Sequence, residues 1–336
     1  MTNSIYEKIK SFMKKNGKIF VVYILLLLFI SVPLPYYIDR PGGAINIKEK
    51  IKMEDAYSSS GGFFYGYVSE MRATIPLYLY TFFNKDWTLL EKEDITYDNE
   101  TIKESNLRSK ILMEEANSNA VIMAYQKSGK SVEIVSEAYY VTYIDESADT
   151  DLKIGDQILG INGYEIQSRD ELYQEIRNTE ENEKVIFKVK QDGEEKEKYG
   201  IIQKIEGISL VGVTISTVRQ YETDPSIEII TNKNESGPSG GLMLTLTIYD
   251  MLTEEDLTHG YKIVGTGTIE EDGSVGAIGG VEYKLKGAVK ENADIFLVPS
   301  GDNYQDAIEL KKERNYDIEI VEISNLDEAI AYLKGL

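Results

Sequence analysis

A single serine, Ser239, stands in the stretch NESGPSGGLMLTL (residues 234–246) between Gly237-Pro238 and Gly240-Gly241, directly before an apolar run of helical character. A serine hydroxyl becomes a nucleophile when a neighbouring group takes its proton. The chain of 336 residues holds one histidine, His259, and no cysteine. Thiolate catalysis, disulfides, Cys-based zinc sites and the two-histidine motif H-E-x-x-H are therefore excluded, and no metal site is expected.

Three readings of Ser239 compete. The stretch can be a plain glycine-rich turn before a helix. The letters G-P-S-G-G also satisfy G-x-S-x-G, the nucleophile elbow of α/β-hydrolases, for which His259 would have to serve as base. His259 lies in the polar stretch TEEDLTHGYK, which a surface turn explains more simply, and the chain after Ser239 is short for the large sheet an elbow needs. The third reading uses a lysine. An ordinary lysine pKa near 10.4 must then fall towards neutrality, a change of about 4 kcal/mol that burial supplies. In GGVEYKLKGAVKENA (residues 279–293) a helix would place Val281, Leu285 and Ala288 on one stripe. Lys284 borders that stripe while Lys286 and Lys290 turn away, so helical position favours Lys284.

Before these residues, Ile19 to Ile38 form twenty consecutive uncharged residues, about the length of a membrane-crossing helix. Lys8, Lys10, Lys14, Lys15 and Lys18 precede the run against Glu7 alone. The expectation is an uncleaved single-pass anchor over 19–38, with residues 1–18 cytoplasmic and the body from Asp39 outside the cell membrane. The net charge of −21 argues against a nucleic-acid partner. Residues 39–128 read as a connector with a helical segment, periodic from Asn106 to Ser128.

From 129 to 205 the pattern turns to short strands: EAYYVTYI, LKIGDQILGINGYEI with a tight-turn signal at Asn162-Gly163, and VIFKVKQDGEEKEKYGII turning at Asp192-Gly193. Ser168 with Glu171 reads as a capping box opening a short helix. Residues 206–336 alternate strand-like and helix-like segments, a mixed α/β domain.

Two resemblances follow from these residues. The run L-K-I-G-D-Q-I-L-G-I-N-G is similar to the signature of PDZ domains, which bind peptide ends by strand addition; the resemblance places the groove along Tyr139, Tyr140 and Val141. GPSGG followed by VGTGTIEEDGSVGAIGGVEYK resembles the proteolytic domain of Lon-type proteases, family S16. That resemblance puts the family's serine on Ser239, its lysine on Lys284 and an assisting threonine on Thr266. The combination of anchor, PDZ unit and Lon-type domain, with PGGAINI and ADIFLVPSGDN, is similar to the SepM-like pheromone-processing serine proteases of Gram-positive bacteria.

The fold expected is therefore α/β and α+β multidomain: a transmembrane helix, a β-rich PDZ domain and a C-terminal Lon-type α/β domain. The activity expected is that of a membrane-anchored serine endopeptidase with a Ser-Lys dyad, acting on exported peptides or small membrane proteins. The backbone N–H groups of Gly237, Ser239 and Gly240 are the candidate oxyanion donors. No cofactor is expected. The one G-K-S, Gly129-Lys130-Ser131, has Ala124 where a P-loop has its first glycine, so no ATP dependence follows. Lon-type domains often form rings, which makes a homo-oligomer compatible with the sequence. A silent PDZ-containing scaffold is the alternative, and it would have no need of Ser239, Thr266 and Lys284 together.

Overall fold

The structure, a computed structural model, describes residues 2–97 and 100–336, with side chains at positions 6 and 7 and from 10 onward in the N-terminal segment; that of Lys8 lies outside. In chain order the first elements are α1 (Thr2–Ser31), β1 (Pro33–Asn46), β2 (Ile51–Met53), β3 (Gly62–Thr74), α2 (Ile75–Thr81), β4 (Thr88–Leu90), α3 (Lys92–Ile95) and α4 (Ile102–Ser128). Next come β5 (Ser131–Ile144), β6 (Gln157–Ile161), β7 (Tyr164–Glu165), α5 (Arg169–Asn178), β8 (Lys184–Gln191), β9 (Glu194–Ile201), β10 (Gln203–Ile205), β11 (Ile208–Leu210) and β12 (Val213–Asp224). The last are β13 (Ile227–Ile229), α6 (Gly241–Leu252), β14 (Lys262–Gly265), α7 (Val281–Lys290), β15 (Ile295–Pro299), α8 (Asp302–Arg314), β16 (Glu319–Ile323) and α9 (Leu326–Lys334).

Two compact units result, one from the segment ending at Pro41 together with Ser69–Ile95, the other from Gly42–Val68 and Thr96–Leu336. In the first, β1 and β4 pair antiparallel with Tyr37 opposite Leu90 and Asp39 opposite Thr88. The guanidinium of Arg40 lies 5.2 Å from the centre of the Trp87 ring, and burial pushes the carboxyls of Asp39 and Glu70 above their ordinary range.

The expected transmembrane helix is not formed. The apolar run divides at Val32: its first part ends α1 at Ser31, and Pro33, which has no N–H to continue a helix, opens β1. The helical part of the run, Ile19–Ser31, rises about 20 Å at 1.5 Å per residue, short of the roughly 30 Å of a hydrocarbon core. Among the described residues no helix is long and apolar enough to cross a membrane. The single-pass anchor, the cytoplasmic N-terminus and the extracellular body that depended on it are accordingly withdrawn.

The second unit holds two larger sheets, besides the two-stranded pairs β2–β13 and β10–β11. In one, β3, β14, β15 and β16 run parallel, with Val264 opposite both Phe64 and Phe296, and Phe296 opposite Ile320. Alternation along these strands sends Ile263, Ile295 and Leu297 to a core shared with α4, α6 and α9, and Val264, Phe296 and Val298 to a core shared with α7 and α8. Helices on both faces of a parallel sheet account for the near-continuous apolar strand IFLVP. Every residue of α6, from Gly241 to Leu252, is buried.

The other sheet is antiparallel, in the order β12, β5, β6, β8, β9. Val185, Phe187 and Val189 of β8 alternate into a core closed by Leu172 and Ile176 of α5. Its hairpins turn where expected, with positive φ at both Asn162-Gly163 and Asp192-Gly193. Ser168 accepts from the Glu171 N–H, but Glu171 returns its bond to the Gln167 N–H, leaving the capping box incomplete. A full capping box sits instead at Thr101 and Glu104, opening α4.

Two features depart from the sequence reading. Val213–Asp224, expected in the C-terminal α/β domain, pairs with the whole of β5, from Val213 opposite Ile144 to Asp224 opposite Ser131. The proposed groove is closed as a result. Tyr139 lies opposite both Thr217 and Ile158, Tyr140 opposite both Ser216 and Gln157, and Val141 opposite Ile215 while bonding Gly155 and Asp156 through its C=O and N–H. Neither edge of Tyr139–Val141 is left for a peptide strand.

A buried ion pair, Lys198 Nζ to Asp156 Oδ2 at 2.6 Å, supports the antiparallel sheet. Lys198→Met would leave the fully buried Asp156 carboxylate without its counter-ion, and should cost about 3–5 kcal/mol, read as a lower urea midpoint. Pairing it with Asp156→Leu should recover a large part of the loss.

Candidate active site

The loop that presents Ser239 is tied down on three sides. The Ile230 N–H donates to Lys50 O at 2.8 Å, Lys50 Nζ lies 2.5 Å from Glu235 Oε1, and the Gly237 N–H donates to Ser109 O of α4 at 2.9 Å. Gly237 has φ +91°, a region costly for a side chain. The chain then enters α6 through Gly240, an N-cap with no side-chain bond. Ser239 is half-buried. Among the described residues the N–H groups of Ser239 and Gly240 donate to nothing, at the positive end of α6. The Gly237 N–H is already committed to Ser109, so its part as an oxyanion donor is withdrawn.

Lys284 and Thr266 meet at this loop. Lys284 Nζ donates to Thr266 Oγ1 at 3.1 Å, and Thr266 Oγ1 donates to the Ser239 carbonyl at 3.0 Å. The Gly267 N–H holds the same carbonyl at 2.8 Å. No hydrogen bond joins Ser239 Oγ to Lys284 Nζ among the described residues; the lysine reaches the serine through the threonine.

Lys284 sits in the first turn of α7, whose amphipathic stripe of Val281, Leu285 and Ala288 packs on the sheet. Helical side chains lean towards the N-terminus, which carries the amine over the positive end of α7 and away from water. Close packing makes this possible. A Cβ on Gly66 of β3 would come within 3.1 Å of the Lys284 Cβ, and one on Gly280, at φ +67°, within 2.6 Å of Val68.

Lys284 is 4% exposed and its pKa falls from 10.5 to about 8 through burial. The comparison with other buried lysines explains why. Lys50 and Lys198 each face a carboxylate, Glu235 and Asp156, whereas Lys284 faces the hydroxyl of Thr266, itself fully buried. Burial without an opposite charge disfavours the ammonium. Lys290 is exposed, and Lys286, although its side chain is largely covered, pairs with Glu282. His259 is exposed, with φ +48°, beyond the C-terminal end of α6, whereas Ser239 precedes its N-terminal end. The helix between them spans about 18 Å.

Residues of β3 complete the site, and the sequence reading left them without a role. The Tyr65 ring lies 3.4 Å from where a Cβ on Gly240 would stand, and burial, then the nearby Glu235, pushes its phenol well above the ordinary value. The aromatic density of GFFYGYV was the visible signal; nothing in it showed that Gly66 makes room for Lys284.

Residues 121–198 match the PDZ domain family, and residues 231–334 match the Lon protease (S16) C-terminal proteolytic domain. Lon protease from Campylobacter concisus is 29% identical over 96 residues, covering 29% of this chain and 12% of that protein. Lon protease from Xanthomonas oryzae pv. oryzae is 29% identical over 96 residues, 29% of this chain and 11% of that protein. Among solved structures, the PDZ domain of the SdrC-like protein from Listeria monocytogenes is 20% identical at a TM-score of 0.23, over 25% of this chain and 92% of that one. The corresponding domain from Listeria innocua is 22% identical at a TM-score of 0.22, over 23% and 92%. The matches thus support a PDZ domain over residues 121–198 and a Lon-type S16 proteolytic domain over residues 231–334, and the chain spans only a small part of the length of those Lon proteases.

Proposed function

We propose that the chain is an ATP-independent serine endopeptidase in which Ser239 is the nucleophile and Lys284 the base, acting on peptides or unstructured protein segments. The observation that carries this is a buried lysine with no carboxylate partner among the described residues, linked through Thr266 to Ser239. Neutral Lys284 takes the Ser239 proton as Oγ attacks the peptide carbonyl, then returns it to the leaving amine. Water repeats the cycle on the acyl-enzyme, its proton passing to Lys284 and its oxygen to the product acid. Thr266 orients the amine and the Ser239 and Gly240 N–H groups face the developing oxyanion. The open Ser239–Lys284 gap agrees with the tendency of catalytic hydrogen bonds to tighten when substrate binds. The resemblance to SepM-like proteases makes short signalling peptides the first substrates to try.

Incubated with an unstructured peptide and no nucleotide, the full chain should cleave it, and Ser239→Ala and Lys284→Met should each lose about 10³-fold or more in kcat. Equal cleavage by all three overturns the dyad. With Lys284 titrating at about 8, roughly a tenth is neutral at pH 7, so kcat/KM should rise with pH and level off above about 8.

Stability carries the same signature with a defined sign. Below pH 8 Lys284 is charged in both folded and unfolded states, and its burial costs about 3 kcal/mol. Between about 8 and 10.5 the folded state releases the proton first, and that cost disappears as pH rises. Lys284→Met should therefore unfold at higher urea than the wild type at pH 7, the difference shrinking towards pH 10.5.

A further inference from the structure

Arg219 of β12 lies in the PDZ-side sheet, yet its guanidinium ties together three parts of the unit. Nε donates to Glu137 Oε1 of β5 at 2.8 Å, Nη1 to Asn119 Oδ1 of α4 at 2.9 Å, and Nη2 lies 2.6 Å from Glu271 Oε1. The side chain is 9% exposed. Glu271 belongs to the loop between β14 and α7, five residues after Thr266. It also meets Arg169, the first residue of α5, at 3.3 Å. Glu137 is held in turn by the Tyr139 hydroxyl at 2.6 Å, and Glu115 of α4 contributes a further carboxylate, bonded to the Thr217 N–H at 2.7 Å.

The same loop is fastened to the candidate active site. The Asn119 Nδ2 donates to Ile269 O at 3.2 Å in a buried position. Ile269 packs so closely on the start of α6 that a Cβ on Gly241 would come within 2.9 Å of it. The Gly267 N–H bonds Ser239 O and the Leu242 N–H bonds Gly267 O, while Thr266 carries Lys284. A shift of Glu271 is therefore transmitted to Thr266 along a short, hydrogen-bonded stretch whose other anchor is the nucleophile loop itself.

We propose that Arg219 and Glu271 are positioning residues for the reaction: they lock the loop carrying Thr266 to the β5–β12 ribbon, so that the PDZ-side sheet is a working part of the proteolytic site. This rests on the Ser-Lys reading. Arg219 is largely buried between the half-buried Glu137 and the more exposed Glu271, and an arginine desolvated to this degree is held in one geometry by its carboxylates rather than loosely paired. Catalysis is sensitive to such placement, since a displacement near 1 Å can cost about 10²-fold.

Glu271→Gln in the full chain keeps Arg219 paired with Glu137 and Asn119 while releasing the loop. It should lower kcat about 10- to 100-fold with little change in KM. It should also move the acid limb of the pH profile upward, because water admitted beside Lys284 returns its pKa towards 10.5. Arg219→Lys, which cannot reach all three acceptors, should behave alike. Glu255→Gln, which breaks an exposed pair with Lys334, should leave both readouts unchanged. Amide hydrogen exchange at Gly267 and Thr268 should rise about tenfold in Glu271→Gln and stay level in Glu255→Gln. Unchanged exchange in Glu271→Gln overturns the proposal, and so does faster exchange with unaltered kcat and pH profile in an active enzyme. If the wild type cleaves nothing, the Ser-Lys reading fails by itself, and the exchange result still decides whether the lock exists.

Discussion

The arrangement turns on one unfavourable placement: an ammonium-bearing side chain buried without an opposite charge. Lys284 is covered because the first turn of α7 presses against β3, and that contact depends on missing side chains. Gly66 admits the Lys284 Cβ, Gly280 admits Val68, and Gly287 meets the backbone of Gly43 at 3.0–3.2 Å from an ideal Cβ. Larger residues at these points would lift α7 and let water reach the amine. Depth of burial and absence of a carboxylate act together, since Lys50 and Lys198 are buried to a similar degree but keep their charge partners.

Residues far apart in sequence therefore share the site. Gly42–Val68 supplies β3 and its glycines, the stretch after Ser226 supplies Ser239, Thr266 and Lys284, and α4 with the antiparallel sheet is inserted between them. The insertion is not a loosely tethered module. The α4 carbonyl of Ser109 holds Gly237, its Asn119 holds Ile269, and its Glu115 and Ser118 cap the outward N–H groups of Thr217 and Arg219 on the edge strand β12. An edge covered in this way neither aggregates nor receives a further strand.

What the sequence made legible was local. Glycine placement marked the Asn162-Gly163 and Asp192-Gly193 turns, periodicity marked α4 and α7, and helical position separated the buried Lys284 from the exposed Lys290 though not from Lys286, whose side chain is covered as well. Three other points were decided elsewhere. The apolar run from Ile19 looked continuous by hydropathy, but Pro33 ends the helix and sheet pairing claims the remainder. Tyr139–Val141 had the letters of a peptide-binding strand, and their open edge is taken by β12, a segment more than seventy residues distant. Arg219, Glu137 and Glu271 carry no mark in the sequence, for no spacing rule reveals that three elements converge on one guanidinium.

On the proposed Ser-Lys reading, the identity of residue 266 follows from the same electrostatics. A base needs an orienting partner, and for histidine a carboxylate serves, since it stabilises the imidazolium that forms without raising the pKa out of range. A lysine starts near 10.4, so a carboxylate at position 266 would hold the proton on the amine and undo the effect of burial. A hydroxyl avoids this. Thr266 accepts from Nζ and passes its own hydrogen to the Ser239 carbonyl, giving the amine direction with no net charge. The threonine's branched side chain further fixes its rotamer, and its complete burial excludes a competing water. Direction supplied by a neutral group, with charge compensation withheld, is the condition under which a buried lysine can be both aimed and neutral near physiological pH.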